Sequence, residues 1–255
     1  MNRWVGKVAV VTGASSGIGL ATCRILVEKG ITVAGLARRK QKMEVNILQL
    51  ESHKSNHSTD IKVNGTGKFV ALQCDVSNEE DVAKVFKWIK QNMGVVQIVV
   101  NNAGIVLMTV DTSRKDWEKV FNVNVMGLLD CTKHAINMMR EADVEGHVIN
   151  INSIFGHHVP NISRTPYNVY LGSKFAVTGL TATIRSELLT KTRKIRSISP
   201  GFVDTEILEA NNSMYSFSKF PLLKSEDVAD AIAYVVGTPL NVQITELTIK
   251  PLGEP

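Results

Sequence analysis

Tyr170 and Lys174, within Tyr170-Leu171-Gly172-Ser173-Lys174, stand four positions apart and share a face if the stretch is helical. A free phenol has a pKa of about 10 and is a poor base at neutral pH. An ammonium beside it favours the phenolate, so the pairing predicts a tyrosine that gives or takes a proton near neutrality. A surface tyrosine and a surface lysine at helical spacing explain the same two residues more plainly. The rest of the chain decides between them.

A second set of residues suits phosphate. Gly13-Ala14-Ser15-Ser16-Gly17-Ile18-Gly19 lies between the apolar run Val8-Ala9-Val10-Val11 and a helical pattern from Ile18 to Lys29. Glycines there permit a tight turn and a close approach to a pyrophosphate, and the helix N-terminus offers unpaired N–H groups. Gly13, Ser15, Ser16, Gly17, Ile18 and Gly19 are therefore expected to cradle a dinucleotide. The spacing is G-x-x-x-G-x-G, a departure from the commoner G-x-G-x-x-G. The stretch also satisfies G-x-S-x-G, the nucleophile elbow of hydrolases. That alternative needs a catalytic histidine later in the chain, and none of the six histidines has such a setting.

The second strand ends at Ala37-Arg38-Arg39 with no acid in the segment. A carboxylate there would take the ribose hydroxyls of NAD, whereas a guanidinium pairs with a 2′-phosphate. Arg38 and Arg39 thus predict NADP(H), against the plainer reading of two solvated cations at a helix start. Asp75, followed by Val76, is a candidate acceptor for the adenine amino group or an ordinary loop carboxylate. Asn102, Ala103 and Gly104 end the fourth strand, where ligands of open α/β sheets lie.

Such groups need a scaffold. Strand patterns at 8–11, 31–36, 69–73, 95–100, 147–152, 195–199 and 243–249 alternate with helical patterns. The helices are expected near 40–50, 78–92, 114–140, 167–189 and 225–236, with Ser77 as N-cap of the second. The alternation predicts an α/β fold: one doubly wound Rossmann domain over 1–255, a mostly parallel sheet of about seven strands with helices on both faces. Residues 51–67 read as an exposed loop. The apolar residues of 206–223 read as a flap over a lipophilic substrate.

Composition narrows the classes. The 255 residues are 44% hydrophobic and 21% charged, with net charge +5. The basic residues are dispersed, so nucleic acid is not expected as a partner. Three scattered cysteines show no metal-ligand spacing and suggest a reducing compartment. No signal peptide and no apolar run of about 20 residues is visible. A soluble, cytoplasmic protein is expected, with no metal.

In order and spacing, Thr12–Gly19, Asn101–Gly104, Asn124, Ser153, Tyr170 with Lys174, and Pro200-Gly201 with Thr205 resemble the short-chain dehydrogenases/reductases along nearly the whole chain. Arg3-Trp4-Val5-Gly6-Lys7, Gly35-Leu36-Ala37-Arg38-Arg39 and Ser153 followed by Gly156-His157 resemble the branch holding insect NADP-dependent farnesol dehydrogenases and vertebrate steroid-reducing relatives. The resemblance implies a catalytic tetrad of Asn124, Ser153, Tyr170 and Lys174. Tyr170 would exchange the proton and Ser153 orient the carbonyl oxygen. Lys174 would lower the Tyr170 pKa and hold the ribose, and Asn124 would bind a relay water. Pro200, Gly201, Val203 and Thr205 would lie beside the nicotinamide. It implies an NADP(H)-dependent alcohol dehydrogenase or carbonyl reductase, its substrate a lipophilic terpenoid alcohol such as farnesol, or a steroid. A homodimer or homotetramer through 114–140 and 167–189 is implied too. A non-catalytic nucleotide-binding scaffold is the rival of another class. The Ser153–Tyr170 interval, with Pro160 and Pro166 inside, reads as an enlarged substrate-side loop.

Overall fold

The computed structural model describes residues 1–53, 67–107, 112–159, 168–188, 193–211 and 221–254. Seven strands form one parallel sheet: β1 (Val8–Thr12), β2 (Thr32–Ala37), β3 (Phe69–Gln73), β4 (Val96–Asn101), β5 (Gly146–Ile151), β6 (Arg193–Pro200) and β7 (Glu246–Ile249). Their order is β3-β2-β1-β4-β5-β6-β7. The direction of winding reverses between β1 and β4, which opens a crevice at their carboxyl ends.

Every residue of β1, β4 and β5 is buried, as expected of a sheet covered on both faces. Alternate residues supply separate cores. Ala9, Val11, Val33 and Ile98 join one cluster, and Val8, Val10, Ala34 and Val99 join the other. The helices between strands are α1 (Gly17–Glu28), α2 (Lys40–His53), α3 (Glu79–Asn92), α4 (Arg114–Phe121), α5 (Gly127–Glu141), α6 (Asn168–Glu187), α7 (Glu206–Asn211) and α8 (Ser225–Gly237). No described helix is long and apolar enough to cross a membrane.

Several expectations need correction. Asn78, not Ser77, caps α3, accepting from the N–H groups of Glu80 and Asp81. Ser77 is diverted because its hydroxyl donates to Asp75 at 2.7 Å. The helix expected over 114–140 is interrupted by a π-type turn, Asn122–Met126, between α4 and α5. Helix α2 runs three residues past Leu50, and the rest of the expected 51–67 loop up to residue 66 lies outside the described residues. Of the expected flap, α7 and 221–223 are described and 212–220 are not. Pro160 and Pro166 also lie outside the described residues.

At the amino ends of β5 and β6, cations meet the C-terminus of α8. Arg196, fully buried, donates to Val235 O at 3.1 Å, Thr238 Oγ1 at 3.1 Å and His147 Nδ1 at 2.5 Å. Lys194 donates to the carbonyls of Pro239 and Val242, and Arg3 to that of Thr238. Helix C-terminal carbonyls carry partial negative charge and attract cations.

Candidate active site

The turn after β1 is closed by steric contact with the end of β4. Gly13 has φ +67°, and a Cβ there would lie 2.9 Å from Ala103 Cα. A Cβ on Gly19 would overlap the Gly13 carbonyl oxygen. Neither position accepts a side chain without moving backbone. Thr12 Oγ1 accepts from the N–H groups of Asn102 and Ala103, and Asn102 Nδ2 donates to Thr12 O at 2.9 Å. These bonds pin the two strand ends that flank the crevice. Ser16 stands at the N-cap of α1 without a side-chain cap bond; its hydroxyl instead accepts from Arg39 at 3.3 Å. The first-turn amides of α1 are left for an anion.

The two arginines part company. Arg39 Nη2 donates to Ser15 Oγ at 3.1 Å and to Glu206 Oε2 at 2.8 Å. Lys42 bonds the other oxygen of Glu206. Bonds from Lys42 and then Arg39 hold the Glu206 carboxyl down at about 2. The segment around Arg38 and Arg39 contains no acid, yet the fold brings one from 167 positions away. Arg38 instead lies in the field of Asp75. Burial acts upward on Asp75, but two bonds from Ser77 together with Arg38 and Lys119 keep its carboxyl below the usual range.

At the other end of the crevice β5 delivers Ser153, and α6 delivers Tyr170 and Lys174. Ser153 is buried; its Oγ accepts from Phe155 N–H at 3.1 Å and it also hydrogen-bonds Tyr170. Lys174 is buried, donates to Ile151 O at 2.8 Å, and lies 5.7 Å from the Tyr170 ring centroid. Burial lowers its pKa to about 8, so it is mostly charged at neutral pH. Burial pushes Tyr170 up to about 12, against the hydrogen bond from Ser153. The net shift of the phenol in this arrangement is therefore upward, not the downward one expected from Lys174 alone: desolvation of a phenolate outweighs the hydrogen bond from Ser153.

Asn124 sits behind the cavity, within the π-type turn. Its Nδ2 donates to Ile105 O and Ser173 Oγ, each at 3.0 Å, and its Oδ1 accepts from Ile105 N–H at 2.9 Å. Ser173 in turn donates to Tyr170 O at 2.7 Å. These three bonds clamp the chain on both sides of the π-type turn.

One cavity of about 540 Å³ gathers these parts. Gly13, Ser15, Ser16, Gly17 and Ile18 line it at the turn, and Arg38, Arg39, Asp75 and Val76 beside β2 and β3. Asn102, Ala103 and Gly104 line its middle. Ser153, Tyr170, Lys174, Pro200, Gly201, Val203 and Thr205 line the far side. Gly19 and Asn124 do not line it; they pack behind it. Thr205 faces Gly17, where a Cβ would come 3.1 Å from its methyl group. Sequence reasoning missed Glu206 and Lys42, for which no local signal exists, and Phe155 and Phe202. With Leu208 of the expected flap, these two pack with Ile154, Val106, Leu171 and Tyr170 into a separate apolar cluster.

The dimensions suit a dinucleotide. A glycine-lined turn that no Cβ fits adjoins uncapped helix amides, with two cations 164 and 167 positions from the acid they share. Comparisons with known proteins agree in kind. Residues 7–216 match the family described as short chain dehydrogenase. The chain is 44% identical to the farnesol dehydrogenase of Aedes aegypti, covering 100% of this chain and 99% of that one. It is 38% identical to human dehydrogenase/reductase SDR family member 11, covering 98% and 96%. A solved closed form of serine dehydrogenase complexed with NADP+ superposes with TM-score 0.80 at 25% identity, over 97% of this chain and 96% of that one.

Proposed function

This chain belongs to the short-chain dehydrogenase family and is an oxidoreductase, and we propose that it uses NADP(H) to interconvert a lipophilic alcohol and its aldehyde or ketone. A terpenoid alcohol such as farnesol is the first substrate to try, with steroids and other carbonyl compounds next. The observation that carries the reading is a single cavity running from the Arg39 guanidinium past Tyr170 to the apolar cluster that lines it with Ile154, Phe155 and Phe202. That wall favours a greasy substrate.

When bound, the nicotinamide supplies or accepts the hydride. The protein's residues manage the proton. Tyr170 is a neutral phenol at physiological pH, so it is ready to protonate an alkoxide developing on the substrate. Ser153 has one acceptor site filled by Phe155 N–H and turns its own proton toward the same oxygen. Lys174 keeps one N–H on Ile151 O and has two more for ribose hydroxyls. Its charge opposes the cost of a phenolate once Tyr170 has given up its proton. Asn124 acts at one remove, holding the turn of α6 that carries Tyr170 through Ser173.

The whole chain works as one catalytic unit in this reading, since one sheet spans β3 to β7. Three buried free cysteines support a reducing, cytoplasmic setting. Trp117, Phe121, Met126 and Phe175 are exposed on α4, the π-type turn and α6, and suit a homodimer or homotetramer through these helices; sedimentation of the purified chain tests that.

The experiment is NADPH oxidation with a panel of aldehydes and ketones, and NADP+ reduction with farnesol. Tyr170→Phe should lower kcat on the best substrate by about 10³-fold while cofactor affinity stays within about twofold. Cofactor binding with no turnover of any panel member would leave a scaffold in place of the enzyme.

A further inference from the structure

Glu206 lines the cavity and has no task in the reaction above. Its carboxylate nonetheless sits as an anionic ligand would. It accepts from Arg39, Lys42 and Ser16, and Arg39 reaches Ser15 and Ser16 at the same time. Every group there suits a phosphate, and the occupant is a side chain. Glu206 is also the first residue of α7, whose Leu208 packs on the apolar cluster of the substrate side.

We propose that Glu206 is an internal substitute for the cofactor's 2′-phosphate, displaced by NADP(H) and left in place by NAD(H). The proposal rests on the NADP(H) reading above and names the residue that limits the preference. A phosphate monoester carries nearly two charges and three strong acceptor oxygens, against one charge and two oxygens for the carboxylate. The exchange is inexpensive because the internal pair is solvated: the Arg39 and Glu206 side chains are 53% and 40% exposed. Exposed pairs contribute little stability. Lys42 becomes a third cation of the phosphate site beside Arg38 and Arg39. Displacement acts on the first turn of α7 and so reaches the substrate wall.

Titration calorimetry of the full chain with NADP+ and NAD+ tests this, on wild type and Glu206→Gln. The variant should bind NADP+ about fivefold more tightly, the size of one surface ion pair that no longer competes. NAD+ affinity should change by less than about twofold. In wild type, amide hydrogen exchange at 206–208 should change on adding NADP+ and not on adding NAD+. Unchanged or weaker NADP+ binding by Glu206→Gln, with the wild-type preference intact, overturns the proposal alone; weaker binding would mean that the carboxylate holds Arg39 in place for the phosphate. A wild type that binds the two cofactors equally removes the NADP(H) reading, and this proposal with it.

Discussion

At the carboxyl ends of the strands, Arg39 and Lys42 share the carboxylate of Glu206, on side chains open to solvent. At the amino ends, Arg196 is shut away completely and bonds carbonyl, hydroxyl and imidazole acceptors around the C-terminus of α8. Both are clusters of positive charge, yet their partners differ in kind. A guanidinium taken out of water loses several kcal/mol of hydration and needs acceptors that cannot leave. Backbone carbonyls at a helix end meet that need. A carboxylate on an exposed side chain can swing away, so the cations it neutralises are free for another anion. The buried cluster is therefore suited to stability, and the exposed one, in the proposed reading, to ligand choice.

The largest effect expected from this contrast is on folding. Arg196→Ala should cost about 3–5 kcal/mol in urea unfolding, through stranded acceptors and a cavity, while the folded fraction keeps its NADP+ affinity. A loss below about 1 kcal/mol would erase the distinction. Arg39→Ala should do the reverse. NADP+ binding should weaken about tenfold, as for a lost charge-assisted bond, with NAD+ nearly unaffected and stability changed by less than about 0.5 kcal/mol. Equal losses for the two cofactors would detach Arg39 from the 2′-phosphate.

The smallest effect concerns His147. Burial first, then the charges of Arg196, Lys194 and Arg3, depress its pKa from 6.5 to about 2. Between these values the unfolded chain binds a proton that the folded chain refuses. Unfolding then takes up a proton, so this contribution is intact above about pH 6.5 and is lost as pH falls. The slope is at most about 1.4 kcal/mol per pH unit. His147→Gln should flatten the stability profile between pH 6.5 and 5.5 by about 1 kcal/mol. An unchanged slope would place the acid sensitivity elsewhere.

What the sequence made legible was local. The Gly13–Gly19 turn and the Tyr170–Lys174 pair declare their geometry through spacing within one turn of chain. The alternation of β-branched runs and helical periods gave the sheet for the same reason. Contacts across sequence were not legible. Arg38 and Arg39 look equivalent as neighbours, and only the fold turns one toward Glu206 and the other toward Asp75. Ser77 and Asn78 both suit an N-cap, and the choice fell to a bond between Ser77 and Asp75. The upward direction of the Tyr170 shift was not legible either, because it comes from burial, which no spacing reports. Asn124 was legible only as a member of the implied tetrad, and its bonds to Ile105 depend on a segment that passes it in space.

The strand order has a consequence during synthesis. Strand β1 lies between β2 and β4, and β4 begins only at Val96. A ribosome that has released the chain through β3 therefore holds a half-built sheet, with Val8–Thr12 bare along one edge. Those five residues are all buried in the finished molecule, and an unpaired apolar edge invites a stranger's strand. Until β4 emerges, a newborn copy is open to joining its neighbours instead of itself.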